Sequence, residues 1–310
     1  MPLYQINQQN LHLVKATQFD SEKQLQRLVE ENLPEIFGCR FIASEFSTGE
    51  IHGGRIDTLA LSEDDNPVII EYKKVESSDL VNQSLFYLSW IEDHKGDFEV
   101  AVFKALQEQV EVDWSSIRVI CIAPGFKKYD LHAVKMMGAH IELYEYKLYE
   151  NQTFTLEEVF NKNTSLMEVG RVGSPVNKGK AKPTAEKKPE KPVYTLESHL
   201  KGKSQAIQQL VDELRHYILS LDESIEEVPK KHYIAYKVNK NFTCIEVQRK
   251  KVYLYLHLDP QGFTPLPDHA RDVSQIGHFG TGNLEYTVLE ADDLEQGKEL
   301  IRLAFENIGG

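Results

Sequence analysis

Two carboxylates and one ammonium group lie on two neighbouring apolar runs of the chain, at 55–61 and 67–73. Asp57 belongs to the first run, and Glu71 and Lys73 belong to the second. A short polar segment joins the runs, so the pattern predicts a β-hairpin. Side chains two residues apart share one face of a strand, which puts Glu71 and Lys73 together on an otherwise apolar strand.

The register of this hairpin decides whether the two carboxylates meet. If Leu61 opposes Pro67, then Asp57 opposes Glu71, and directly opposed side chains have Cβ atoms about 5 Å apart. Carboxylates at that distance repel each other unless a cation lies between them. A hard divalent cation bound by both would suit metal-assisted attack of water on a phosphodiester. A structural salt bridge at a strand end is the alternative interpretation.

The segment that follows the hairpin adds a second pair of polar side chains. Residues 78–93 read as a helix, and Gln83 and Tyr87 lie one turn apart on one of its faces. By spacing alone this pair could equally be a neutral, exposed pair. Trp90, on the same helix, is interpreted as a core residue.

The order of these motifs resembles the PD-(D/E)XK nuclease superfamily. Asp57 is followed after thirteen residues by Glu71-x-Lys73, and then by Gln83-x-x-x-Tyr87. The phrases GRIDTLAL and PVIIEYKK are similar to the branch that contains RecB-type and NucS-type nucleases. The resemblance covers roughly residues 18–147, and the family's proline before the aspartate is absent here.

The resemblance implies roles for individual residues and a cofactor, Mg²⁺ or Mn²⁺. Asp57, Glu71 and the backbone carbonyl of Tyr72 are expected to bind the metal. Lys73 would orient the attacking water or stabilise developing negative charge. An acid on the first helix would assist, with Glu22 preferred and Glu30 as the rival. The residues expected to bind substrate are Gln83, Tyr87, Arg55 and Lys74.

The chain is long enough for two globular domains, at 310 residues and 41% hydrophobic content. We predict a nuclease-like domain at 1–168, a basic Pro/Lys-rich linker at 169–194 and a smaller α+β domain at 195–310. The first is an α/β domain with a restriction-endonuclease-like mixed sheet flanked by helices. The linker would either help to recruit nucleic acid or be merely solvated.

Composition bears on the compartment and on the partners. The N-terminus resembles no signal peptide and no apolar run approaches a membrane span, so we expect a cytoplasmic protein without membrane partners. Three dispersed cysteines indicate reduced, buried thiols. The net charge of −13 argues against tight, non-specific binding to duplex nucleic acid. A homodimer is left open.

Basic and aromatic residues alternate in the C-terminal region. Seven Lys and Arg residues between 228 and 253 surround four aromatic residues, namely Tyr233, Tyr236, Phe242 and Tyr253. This mixture can bind single-stranded nucleic acid. Equally, the aromatic residues would be core and the lysines a solvated sheet edge. The region resembles a small domain of unknown function found beside such nuclease domains, labelled in some proteins as predicted transport.

Two functions therefore follow from the sequence. The first is a metal-dependent nuclease, with DNA as the expected substrate, acting in repair or defence. The alternative is a non-catalytic nucleic-acid-binding or regulatory protein on the same fold, since a fold does not dictate function.

Overall fold

The computed structural model describes residues 2–76, 79–137, 141–160 and 194–310. The chain divides into two compact units, Met1–Lys162 and Asn163–Gly310. The predicted linker at 169–194 lies outside the described residues, except for Tyr194.

The N-terminal unit begins with the hairpin of β1 (Leu3–Asn7) and β2 (Asn10–Val14), which forms a separate two-stranded sheet. Its main sheet has seven strands among the described residues, in the order β3-β8-β7-β6-β5-β4, with β9 paired to β8. These strands are β3 (Ala16–Thr17), β4 (Cys39–Ser47), β5 (Arg55–Ser62), β6 (Pro67–Tyr72), β7 (Arg118–Ala123), β8 (Ile141–Tyr149) and β9 (Phe154–Phe160). Neighbours β6-β7 and β7-β8 are parallel and the other pairs are antiparallel, so the predicted mixed sheet is confirmed.

Helices cover both faces of this sheet. They are α1 (Glu22–Glu31), α2 (Leu33–Phe37), α3 (Gly49–His52), α4 (Asp79–Asp93), α5 (Lys95–Leu106) and α6 (Lys128–Met137). The apolar residues of α1 and α2 pack on one face, and those of α4, α5 and α6 pack on the other. Strands β6 and β7 are buried along their whole length, as continuous apolar runs in a sheet covered on both sides should be.

Several local predictions from the sequence are wrong in detail. Pro34 is expected to end the first helix, but it lies in the first turn of α2, where a backbone N–H has no partner within the helix. The segment 47–54, which its composition predicts as a loop, contains the short helix α3. Lys95 is expected to close the helix at 78–93, but it begins α5. The sequence patterns predict neither β3 nor β9.

The C-terminal unit is an α+β structure, as expected. Its six-stranded sheet, counted over the described residues, is antiparallel throughout, in the order β10-β11-β12-β13-β15-β14. Its elements are α7 (Leu196–Leu200), α8 (Gln205–Leu221), β10 (Glu226–Pro229), β11 (Ile234–Lys237), β12 (Asn241–Val247), β13 (Val252–Leu256), β14 (Ala270–Asp272), β15 (Leu284–Val288) and α9 (Leu294–Asn307). Apolar residues of α8 and α9 pack on the same face of the sheet.

Two features of this unit bear on the sequence interpretation. The apolar periodicity from Leu200 to Ile218 predicts one helix at about 197–221. The structure has two helices there, because Gly202 takes a positive φ of 74° and Ser204 caps the start of α8. Tyr236 and Phe242 are fully buried, and Tyr233 is nearly so. These three aromatic residues belong to the core, which agrees with the interpretation of the basic and aromatic region as core aromatics beside solvated lysines.

Candidate active site

The β5–β6 hairpin has the predicted register, because Leu61 pairs with Pro67. Backbone pairing runs back from the turn as far as Thr58 and Ile70, one step short of the two carboxylates. Beyond that point, the backbone N–H groups donate to side-chain carboxylates. The N–H of Asp57 donates to Glu71 Oε1 at 3.0 Å, and the N–H of Tyr72 donates to the Asp57 carboxylate at 3.1 Å. Asp57 and Glu71 are thereby held side by side at the end of the hairpin.

Glu71 is fully buried, although it carries an ionisable group. Burial is the main cause that raises its pKa to about 9, and the charge of Asp57 raises it further. Within the described residues, Glu71 Oε2 has no hydrogen-bond partner. A buried carboxylate oxygen without a partner is costly, so it marks a position where a cation or a donor from a ligand would be accommodated.

Asp57 is partly exposed and lies beside Glu71. Burial raises the pKa of its carboxyl, against the Tyr72 amide and the Lys73 charge, which lower it. The carbonyl of Asp57 accepts from Gln26 Nε2 at 2.7 Å, which ties the strand to α1. The charged forms of both carboxyl groups are therefore destabilised at the same place, and a divalent cation bound between them would stabilise both.

Helix α1 brings Glu22, and not Glu30, to this cluster. Lys73 Nζ donates to Glu22 Oε1 at 3.2 Å, and the N–H of Lys74 donates to Glu22 Oε2 at 3.1 Å. Glu30 instead accepts from Thr58 Oγ1 at 2.7 Å. The structure thus decides between the two acids that the sequence left open.

The Gln83 and Tyr87 side chains point inward, so the exposed-pair interpretation is wrong for Tyr87. Tyr87 is 4% exposed. Its hydroxyl accepts from the N–H of Arg55 and from Gln83 Nε2, each at 3.1 Å. A Cβ at Gly54 would lie 2.7 Å from the Tyr87 ring, so the turn before β5 lies directly on that ring. The pair positions the start of the strand that carries Asp57.

Replacing Tyr87 with Phe should lower the free energy of unfolding by about 1–2 kcal/mol, because the Arg55 N–H and Gln83 Nε2 would both lose their acceptor. Urea denaturation measures this change. Tyr129→Phe is the matched control, since that side chain is 85% exposed and should change nothing. Equal effects of the two substitutions would contradict the positioning role of Tyr87.

The two remaining predicted substrate residues are already engaged. The Arg55 guanidinium is 66% exposed and pairs with Glu45. Lys74 Nζ donates to the carbonyl of Asp20 at 2.7 Å. Both cations lie next to residues of the cluster along the chain, but each would have to exchange its present partner for a substrate phosphate.

Gln26 is a site residue that the sequence interpretation missed. It is 3% exposed, and its Nε2 contacts Glu30 and Ser44 as well as the carbonyl of Asp57. The signal was its position one helical turn after Glu22, which puts both on the same face of α1.

Across the described ranges, no group of three or more His, Cys, Asp or Glu side chains is arranged to hold a metal ion. The candidate ligands in this site are two carboxylates, those of Asp57 and Glu71. This pair nevertheless fits Mg²⁺, which usually takes one or two protein carboxylates and completes its shell with water and substrate phosphate. The unpartnered Glu71 Oε2 is the observation that agrees with such an ion.

Comparison with known proteins gives a family and a domain. The chain is 34% identical, over 312 residues, to an uncharacterized protein of Haemophilus influenzae, and the match covers 99% of this chain and 100% of that protein. The chain belongs to the family of that protein. Residues 196–308 match a domain of unknown function, DUF5655.

Among solved structures, the chain is similar to the EndoMS–dsDNA2 complex, with 17% identity and a TM-score of 0.30 over 47% of this chain and 64% of that one. A repair endonuclease from Pyrococcus abyssi shows 20% identity and a TM-score of 0.24, over 42% of this chain and 49% of that one. The chain therefore spans less than two thirds of either. At these TM-scores the likeness carries no argument about function. No helix in the described part of the chain is long and apolar enough to span a membrane.

Proposed function

We propose that this protein is a metal-dependent nuclease that hydrolyses phosphodiester bonds of nucleic acid. The observation that carries the proposal is the side-by-side pair of Asp57 and Glu71, with a buried Glu71 oxygen that lacks a partner. An ordinary salt bridge would leave no such oxygen, and the ammonium of Lys73 pairs with Glu22 instead. Metal-assisted hydrolysis needs this combination of hard oxygen ligands and a neighbouring cation.

Each residue of the cluster has a role in this proposal. Asp57 and Glu71 would hold Mg²⁺ or Mn²⁺, and the Tyr72 carbonyl is the proposed third ligand. When bound, the ion supplies Lewis-acid polarisation of the phosphate and lowers the pKa of a bound water. Lys73, 21% exposed, would hold the attacking water or stabilise negative charge on the phosphate oxygens. Glu22 orients the Lys73 ammonium through their 3.2 Å contact.

DNA is the substrate we propose, in repair or defence, because the motif order resembles the RecB- and NucS-type branch. We propose a cytoplasmic location, because the three cysteines, Cys39, Cys121 and Cys244, are dispersed in the sequence and all buried. A homodimer stays a prediction, which light scattering of the purified chain tests.

Lys73→Ala tests the proposal on a panel of labelled nucleic acids incubated with Mn²⁺. The wild type should cleave at least one member, and the variant should cleave it on the order of 10²-fold more slowly, because a positioned charge at the reacting phosphate is lost. The panel should contain single-stranded, duplex and branched DNA and single-stranded RNA. Lys128→Ala removes an exposed lysine of α6 and is the matched control. Equal cleavage by Lys73→Ala and the wild type would remove this mechanism.

A non-catalytic binding or regulatory protein is the second candidate, and the net charge of −13 favours it. The two candidates differ in one measurable outcome. Under this alternative, no nucleic acid of the panel is cleaved at any divalent-ion concentration. Calorimetric titration with Mn²⁺ then shows whether the Asp57–Glu71 pair binds metal without catalysis.

A further inference from the structure

A polar cleft with a volume of about 350 Å³ lies within the C-terminal unit. The connection between α7 and α8 and the connection between β10 and β11 both contribute cationic side chains to it. The residues that matter here are His199, Lys201, Lys203, Lys231, His232 and Phe279. Neither the domain match nor any relative assigns a role to this cleft.

The cations of the cleft outnumber its acids. Lys201 and Lys231 are exposed, and neither side-chain ammonium group has an ion-pair or hydrogen-bond partner among the residues that the structure describes. Lys203 Nζ is held by the carbonyl of Val247 at 2.6 Å. The acid that lines the cleft is Glu246, which is 7% exposed. Its carboxylate oxygens already accept from Gln248 Nε2 and from the hydroxyl of Tyr255. The three lysines of the cleft therefore share one carboxylate, and neither Lys201 nor Lys231 forms an ion pair with it.

His199 is a polar donor of the cleft. Its Nε2 lies 2.7 Å from the carbonyl of Lys230, and since a carbonyl only accepts, Nε2 carries the proton. Burial lowers the pKa of His199, the hydrogen bond to the Lys230 carbonyl raises it, and the charge of Lys203 lowers it. The lysines that line the cleft carry like charges, and an anion bound among them would reduce their repulsion.

An exposed aromatic ring stands at the edge of the cleft. Phe279 is 56% exposed and stacks on His232, with the ring centroids 4.1 Å apart and the ring planes at 21°. The loop that carries Phe279 is fixed on both sides. His278 stacks on Tyr255 at 4.5 Å, and a Cβ at Gly280 would come within 2.4 Å of the Tyr255 ring. Phe279 is therefore held at the surface by the packing of its neighbours.

Unpaired ammonium groups together with a rigid, exposed aromatic ring match one class of ligand. We propose that this cleft binds a nucleoside phosphate, with the phosphate on Lys201 and Lys231 and the base stacked on the Phe279–His232 pair. Base stacking on aromatic rings and phosphate binding by lysines are the two general means of holding single strands. The ligand is either a free nucleotide or one unit of a single strand. The inference goes beyond the proposed nuclease, because it uses none of the residues of that site.

The test measures binding by the full-length protein in EDTA, so that no strand is cut. The probes are a fluorescent oligothymidylate, thymidine monophosphate and inorganic pyrophosphate. Lys201→Ala/Lys231→Ala should weaken binding of the oligonucleotide about tenfold or more, because two charge-assisted phosphate contacts are lost. The slope of log Kd against log salt concentration should fall by about 1.4. Phe279→Ala should weaken binding of the oligonucleotide about tenfold and leave pyrophosphate binding unchanged.

Lys298→Ala/Arg302→Ala is the matched control, because it removes two charges from α9, outside the cleft. Much tighter binding of the oligonucleotide than of the monophosphate identifies a strand as the ligand, and equal binding identifies the free nucleotide. The proposal is overturned if no probe binds, or if the α9 control weakens binding as much as the cleft variant does. Repeating the titration in an Asp57→Asn background separates this site from the nuclease, because binding at the cleft should persist there whether or not the wild type cleaves.

Discussion

Replacing Asp57 with Asn should reduce metal-dependent cleavage on the order of 10³-fold, because a metal ligand contributes several kcal/mol of transition-state stabilisation. The fold should survive this change. The Tyr72 N–H now donates to the Asp57 carboxylate at 3.1 Å, and an amide oxygen can accept the same hydrogen bond. The rate of cleavage in Mn²⁺, and the Mn²⁺ affinity by calorimetry, are the two measurements. Both should fall together.

Glu30→Gln is the matched control for Asp57→Asn. It makes the same acid-to-amide change in the same unit, but Glu30 contacts Thr58 and Gln26 and not the carboxylate pair. Its cleavage rate and Mn²⁺ affinity should stay near those of the wild type. If Asp57→Asn retained full cleavage, or if Glu30→Gln lost as much, the assignment of the metal to the Asp57–Glu71 pair would be wrong.

Replacing Glu71 with Gln should raise the free energy of unfolding in EDTA at pH 8 by on the order of 4 kcal/mol, although it removes a proposed metal ligand. The pKa of Glu71 is raised to about 9 in the folded state, from an ordinary value of 4.5. The folded protein therefore holds a proton that the unfolded chain releases. This contribution to stability is complete below pH 4.5 and is lost as the pH rises through the folded pKa near 9. Gln has no proton to lose.

Urea denaturation between pH 5 and pH 9 measures this difference. In EDTA the wild type should lose stability across this range, and Glu71→Gln should lose less, because the remaining slope comes from Asp57, whose pKa is also raised. Mn²⁺ at about 100 times its Kd should stabilise the wild type by about 2.7 kcal/mol and leave Glu71→Gln nearly unchanged. Glu30→Gln again serves as the control. An equal Mn²⁺ effect on the wild type and Glu71→Gln would show that the ion binds elsewhere.

The hairpin could be predicted because its information is local. The apolar alternation on each side of the short polar loop permits few registers, and the one in which Leu61 meets Pro67 also buries the apolar residues. Strand β15 could not be found in this way. It lies between β13 and β14 in the sheet, and β13 is separated from it in the chain by β14 and the segments on either side of β14, so its pairing is not set by a local turn.

Helix continuity was predicted less well than helix position. The apolar periodicity from Leu200 to Ile218 suggested one helix, but a single positive-φ glycine at 202 divides it. This break shapes the polar cleft of the C-terminal unit, because the connection it creates brings Lys201 and Lys203 into the lining of that cleft. Periodicity reports which face is apolar, and it does not report where the backbone turns.

Which of Glu22 and Glu30 contacts the carboxylate cluster could not be predicted from the sequence. The two residues are eight positions apart on one helix, which is about 12 Å along its axis, so only one can reach a given strand end. Which one does so depends on how α1 docks on the sheet, and that is set by packing among Leu25, Val29 and residues of distant strands. No local pattern contains this information.

The sequence by itself determined the chemical groups of the candidate site, the hairpin that carries three of them and the order of the surrounding elements. These follow from side-chain type and from periodicities of two and 3.6 residues, which are local properties. Only the tertiary structure decided that Glu71 is buried with one oxygen unpartnered, that Tyr87 turns inward, and that Lys201 and Lys231 stand unpaired beside Phe279. Burial and pairing depend on groups brought together from far apart in the chain, so they appear only once the chain has folded.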